Sequence, residues 1–230
     1  RTTDGVFFVE DRVSWYPTLG QIFSTYDLIF HLPKQYLLAA PGDIVAETVE
    51  GDVRTVHRRC TQPIRNAGFN IGNYQHVDVK RGDYRVDMYA NTKSEETPHA
   101  TLLPQDLPSG PAAPPGAHRG VSAMEVEQPA VNVPARMEEV GAEIAEEFEW
   151  MAAHFGPPPL KRIAISPIPG TFGQGFPGLI YLSTVTYLDD VQRRALLRKD
   201  VNADTFYGSI IHAHETAHQW WGNLVVPATY

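Results

Sequence analysis

The chain holds 230 residues, enough for one large domain or two modest ones with a real core. Its formal charge is −8, from 19 Lys and Arg against 27 Asp and Glu, and no basic block stands along it, so no nucleic-acid partner is expected. No apolar run approaches the ~20 residues that cross a bilayer, so no transmembrane segment is expected in this chain. The sequence opens on Arg1 rather than Met and reads as an excised piece, so the missing leader pattern leaves the compartment open.

From Val13 to about Tyr74 the sequence reads as β structure. Residues 26–32 form an apolar run of strand length closed by Pro33 and Lys34. Residues 44–48, 53–58 and 68–71 are further short β-prone segments separated by turn residues. Such spacing fits a sandwich or saddle of antiparallel strands. Cys60 is the single cysteine, so no disulfide framework exists, and it is expected to be a small buried strand residue rather than a nucleophile. A hairpin is expected over 76–90, with Arg81, Gly82 and Asp83 at its turn.

Residues 92–133 are rich in Pro, Ala, Gly and Glu without periodicity, and read as a long surface loop or insertion. Pro134 then opens a helix in which Met137, Val140, Ile144, Phe148 and Met151 recur at three- and four-residue spacing. Glu138, Glu139, Glu143, Glu146 and Glu147 lie on the other side and are expected to be a solvated face. Pro157, Pro158 and Pro159 end that region, and residues 162–165 begin a strand. Next come Gly173, Gln174, Gly175, Phe176, Pro177 and Gly178, before a strand-like 180–182. Glycines there permit close approach of another backbone. The stretch reads equally as an edge to which a peptide adds as an extra strand or as a turn between two core strands.

Near the end stands His214-Glu215-Thr216-Ala217-His218, the pattern H-E-x-x-H. Side chains four apart on a helix share a face, with Cβ atoms ~5–6 Å from each other. His214 and His218 can therefore aim two imidazoles at one metal ion. Glu215, rotated by ~100°, cannot share that point but can serve beside it as a general base. Asn202 and Asp204 are natural caps ahead of a helix from Thr205, and Gly222 and Asn223 supply a stop. Tyr207, Ile210, Ile211, His214, His218 and Trp221 fall on one stripe at helical spacing, so the two ligands are expected on the apolar, water-poor side. His212 falls on another face and reads as a bystander.

The segment HETAHQWWGN, from His214 to Asn223, resembles the active-site helix of the gluzincin zinc aminopeptidases, typified by alanyl aminopeptidase and leukotriene A4 hydrolase. That helix reads H-E-x-x-H-Q-W-x-G-N, and every fixed position is present here. More weakly, Trp15, Tyr16, Pro17 and residues 26–33 and 67–74 look like the end of the family's N-terminal β domain, and 148–165 like the helix and strand before its substrate edge. The resemblance implies an α+β chain: residues 1–75 as the remainder of an antiparallel β domain, and 76–230 as the first portion of a thermolysin-like zinc peptidase domain. It further implies zinc as cofactor held by His214 and His218, Glu215 as general base, and a peptide as partner, with N-terminal residues removed. The alternative is a non-catalytic peptide- or protein-binding module derived from the same fold.

Two departures from the family's pattern bear on these expectations. The family's third ligand, a glutamate, and its oxyanion-supporting tyrosine fall past Tyr230, so the chain is expected to be the middle of a larger enzyme, inactive by itself and weak in zinc. The family's G-x-M-E-N stretch, whose glutamate holds the substrate's free amine, is matched by Gly173, Gln174, Gly175, Phe176 and Pro177. Gly175 stands where the carboxylate would be, which implies a looser requirement for a free N-terminus.

Overall fold

The computed structural model describes residues 2–3, 6–9, 15–17, 22–91, 133–168, 172–197 and 200–226. The proline-rich segment 92–132 lies outside them, and with it nearly all of the expected insertion. In chain order the elements are strands β1 (Thr2–Thr3), β2 (Val6–Phe8), β3 (Ser24–Pro33), β4 (Leu37–Ala39), β5 (Asp43–Glu50), β6 (Val53–Ile64), β7 (Asn70–Gly72), β8 (Tyr74–Arg81) and β9 (Tyr84–Asn91). Helix α1 (Val133–Phe155) follows, then β10 (Arg162–Ile168), β11 (Gln174–Phe176), β12 (Leu179–Ser183) and a 3-10 turn over Thr184–Tyr187. Helices α2 (Asp190–Leu196) and α3 (Val201–Thr205), a π turn over Phe206–Ile210 and α4 (Ile211–Ala217) complete the described chain.

Among the described residues the strands gather in three sheets, so the chain is of mixed α+β class. The order β1-β2-β7-β4 and the order β3-β6-β5 are antiparallel, while β11-β12-β10-β9-β8 is mixed, with β10 parallel to both β9 and β12. The mixed sheet shows period two on both faces. Val86, Met88, Ile163, Ile165, Ile180 and Leu182 point toward the helices, where they meet Met137, Val140, Ile144 and Phe148 of α1. The alternate residues Tyr89, Ala164, Ile168, Leu179 and Tyr181 point the other way, onto Phe8, Ala39 and Tyr74. The chain along and just past β4 repeats the alternation, since Leu38 and Ala40 turn toward Leu32 and Val56 of the outer sheet. The result is a stack: outer sheet, small sheet, mixed sheet, helices. Each fully buried Ile, Leu or Phe in it contributes roughly 1.5–3 kcal/mol.

Two sequence expectations shift. β6 runs to Ile64 because it is the middle strand of its sheet, paired on both edges to β3 and β5. The acidic side of α1 is only partly a solvated face: Glu138, Glu139 and Glu146 are exposed, but Glu143 and Glu147 turn toward His212. Cys60 is buried in β6, and burial together with the charge of Asp43 pushes its thiol up to about 11, against the opposing pull of Arg58. Its thiolate is therefore disfavoured, as a structural role requires.

Candidate active site

The segment bearing H-E-x-x-H begins earlier than its sequence suggests. Asp200, not Asn202 or Asp204, is the cap of α3, its carboxylate accepting from the amides of Asn202 and Ala203. Asp204 is instead held by arginines: Nε of Arg193 donates to it at 2.7 Å and Nε of Arg194 at 2.9 Å. After α4, turns carry the chain to Gly222, whose φ of +88° reverses its direction.

His214 and His218 come together as expected, their ring centroids 4.9 Å apart and their planes at 89°. They do not lie on the core side. Tyr207 and Ile211 are buried, whereas His214, Ile210 and Trp221 are exposed and His218 is half-buried. Partial desolvation against the helix and the like charge of His218 lower the His214 pKa below its ordinary value, which favours the neutral ring. Nδ1 of His218 lies 2.9 Å from the Trp221 carbonyl. A carbonyl only accepts, so Nδ1 carries the proton, and in the neutral ring that leaves the Nε2 lone pair for a metal.

Glu215 points inward and is 5% exposed. Burial raises its pKa to about 7, against the pull of His218 and the Gly175 backbone. It meets the glycine strand directly: a methyl group on Gly173 would stand 2.5 Å from Glu215 Oε1, and one on Gly175 would stand 2.6 Å from His218 Cβ and 2.7 Å from the Glu215 carbonyl oxygen. At Gly175 the obstacle includes helix backbone, so only a residue without Cβ fits there; at Gly173 the Glu215 side chain would have to move.

The side chains that dock the strand on the helix carry no separate sequence signal beyond their place in the motif. Gln219, 2% exposed, accepts from the Gly178 amide through Oε1 at 2.8 Å and donates to the Phe176 carbonyl through Nε2 at 2.8 Å. Asn223 donates to the carbonyls of Gly175 at 2.9 Å and His218 at 2.7 Å. Trp220 fixes the helix from the other side, donating to the Gly156 carbonyl at 2.9 Å and packing on Phe148. Arg65 ties the β sheets to the following loop through the Gly222 carbonyl, at 2.7 Å.

Of the glycine stretch, β11 pairs antiparallel with β12 and forms the edge of the mixed sheet. Phe176 is core, Pro177 and Gly178 make the turn, Gln174 is half-buried, and Gly173 and Gly175 abut the helix. His212 is no idle surface residue: Nδ1 lies 2.8 Å from Glu147 and Nε2 3.4 Å from Glu143, charge contacts not aligned as hydrogen bonds. Burial alone would lower its pKa, but Glu147, Glu143 and a Gly208 backbone group outweigh that and raise it.

The two imidazoles, one oriented by a backbone contact at Nδ1, fit two corners of a zinc site. Among the described residues no group of three or more His, Cys, Asp or Glu side chains could hold a metal.

No family profile matches the sequence, and no curated protein matches it. Solved structures do. An M1 zinc metallopeptidase from Deinococcus radiodurans is similar with a TM-score of 0.58 and 16% identity, over 98% of this chain and 42% of that one. A two-domain M1 zinc metallopeptidase variant bound to L-arginine gives 0.53 and 14%, over 89% of this chain and 35% of that one. A variant of the Deinococcus radiodurans enzyme gives 0.50 and 16%, over 89% and 36%. At these identities the likeness is one of fold: this chain has the fold of part of an M1 zinc metallopeptidase, and spans about two fifths of the length of the first structure it matches.

Proposed function

We propose that this chain is the zinc-helix portion of a gluzincin metallopeptidase, one that removes N-terminal residues from peptides. In this reading residues 1–75 belong to an N-terminal β domain and 76–230 to a thermolysin-like catalytic domain. The observation that carries it is the pairing of His214 and His218 on the open side of the helix with Glu215 buried against the glycine strand, in the fold of an M1 zinc metallopeptidase.

His214 and His218 would hold zinc, which when bound acidifies water and polarises a carbonyl. Glu215 accepts a proton from the attacking water and returns it to the leaving amine, a task suited to a carboxyl raised to about 7. The backbone of β11 aligns the peptide. At Gly175 and Phe176 the carbonyls are already taken by Asn223 and Gln219, so pairing with a substrate falls to the edge around Gly173 and Gln174. No side chain fits at Gly175, so the substrate amine is anchored elsewhere, and free and N-acetylated peptides differ less as substrates than they would against a carboxylate there.

In the longer protein, Glu215→Gln is expected to keep zinc and fold while lowering peptide hydrolysis by about 10²–10⁴, and His218→Ala to lose metal and activity together. Near-normal hydrolysis by the Gln variant would remove Glu215 as the base. A binding module derived from this fold is the second reading, favoured by Gly175 standing where the family's amine-holding carboxylate would be. It predicts peptide binding that ignores both substitutions.

A further inference from the structure

The helix that carries His214 and His218 is broken by a π turn over Phe206–Ile210, in which the Ile211 amide donates to the Phe206 carbonyl five residues back. Such a turn takes up about one residue more than an α turn, so whatever follows is rotated by ~100° about the axis relative to an unbroken helix. On an unbroken helix Tyr207 and His214, seven residues apart, would differ in direction by only ~20° and share the core face. Here Tyr207 is buried and His214 exposed. Buried residues come instead in pairs four apart: Tyr207 with Gly208, Ile211 with His212, Glu215 with Thr216, Gln219 with Trp220. That spacing drifts by ~40° per step on a regular α-helix, and the wide turn takes up much of the drift.

Two arginines hold the turn. A methyl group on Gly208 would stand 2.7 Å from Nη2 of Arg193 and 2.9 Å from its Cζ. Hydrogen bonds from all three of its nitrogens hold that guanidinium in place. It is buried, and donates through Nε to Asp204 at 2.7 Å, through Nη2 to Asp190 at 2.7 Å and through Nη1 to the Leu188 carbonyl at 3.2 Å. Arg136 of α1 donates to the Gly208 carbonyl at 3.3 Å.

We propose that this π turn, locked by Arg193 lying on Gly208, rotates the histidine pair out of the core face, and that Arg193 and Gly208 are positioning residues for the pair. The proposal rests on reading His214 and His218 as metal ligands. Both positioning residues act from a distance, since Gly208 precedes His214 by six residues, roughly 9 Å along the axis.

The test uses the 230-residue chain and the copper(II)–iminodiacetate complex, which leaves open positions for a histidine pair and needs no third protein ligand. Deleting Ser209, an exposed residue within the turn, is expected to return the segment to α spacing and weaken copper binding by about 10–100-fold, as disturbed ligand orientation does. Gly208→Ala is expected to weaken it about tenfold. Arg193→Met added to Gly208→Ala makes room for the methyl group and should recover most of that loss. Ile144→Val, a core change on α1, should lower the melting temperature and leave copper affinity unchanged, which separates positioning from general stability. If the unaltered chain binds the probe and the Ser209 deletion and Gly208→Ala bind it equally well, the π turn does not position the pair. A double variant as weak as Gly208→Ala would overturn the lock by Arg193. If the unaltered chain binds no better than His214→Ala, the metal-ligand reading itself fails and the proposal falls with it.

Discussion

The mixed sheet and the outer sheet use the same apolar residue types to different ends. β10 is buried from Ile163 to Ile168 and β12 along its whole length, with helices on one side and the small sheet on the other. In β5 every side chain is exposed, and Ile29, Val45, Val49 and Val53 of the outer sheet face outward. A strand packed on both faces cannot slip by one residue without placing every side chain in the wrong layer. The candidate site stands on that over-determined part, with β11 bonded to β12 and α4 packed on both. Rigid support of this kind is what holds a reacting group to a fraction of an ångström.

The contrast is open to attack at graded strength. The largest loss is expected from Phe148→Ala, which empties the space beneath Trp220 and Tyr84. It should cost about 3–5 kcal/mol in urea unfolding, and a loss under about 1 kcal/mol would mean that the helix layer is not the anchor described.

Next comes Asp87, buried in β9. Burial alone would raise its pKa, but hydrogen bonds from His76 and Arg162 and the charge of Arg162 outweigh that and hold the carboxyl below its ordinary value. A carboxyl lowered in the folded state stabilises above the ordinary carboxyl range near ~4 and loses that contribution as pH falls through its lower folded value. Asp87→Asn should therefore cost about 3 kcal/mol at neutral pH, by leaving Arg162 without its partner, and should flatten the stability profile below pH ~4. A variant profile parallel to the parent's there would assign the acid sensitivity to other carboxylates.

Gly175→Ala is a smaller change placed at the site. Its methyl group meets helix backbone rather than a yielding side-chain tip, so a loss of about 1–3 kcal/mol is expected, together with separation of β11 from α4, read as faster amide exchange at Gly178, whose N–H Gln219 holds. The smallest effect belongs to Val49→Thr on the outer sheet, 50% exposed, which should stay within about 0.5 kcal/mol.

What the sequence made legible follows the same division. The three- and four-residue recurrence from Met137 to Phe148 marked α1 because one face of that helix is packed along its length, and Gly82 marked the β8–β9 turn because its φ of +55° suits glycine. The pattern H-E-x-x-H placed two histidines together because i,i+4 geometry is local. The stripe joining Tyr207 to His214 failed because regular helical spacing was assumed across Phe206–Ile210, and a π turn has no residue signature comparable to proline's. The four-residue spacing of Tyr207, Ile211, Glu215 and Gln219 was the available hint. Gly173 and Gly175 were legible as glycines but not as contacts, since what each abuts lies some forty residues away on α4. The burial of His212 was not legible for the same reason: its partners Glu143 and Glu147 sit on a helix whose acidic side looked wholly solvated.

The central claim is that His214 and His218 are a zinc-binding pair with Glu215 beside the metal and not on it. Calorimetric titration of the 230-residue chain with zinc at pH 7 tests it most directly. Two imidazoles leave most of the coordination shell to solvent, so the account predicts weak binding at one site, abolished by His214→Ala or His218→Ala and retained by Glu215→Gln. Binding that survives His218→Ala, or is lost with Glu215→Gln while the fold persists, would contradict it.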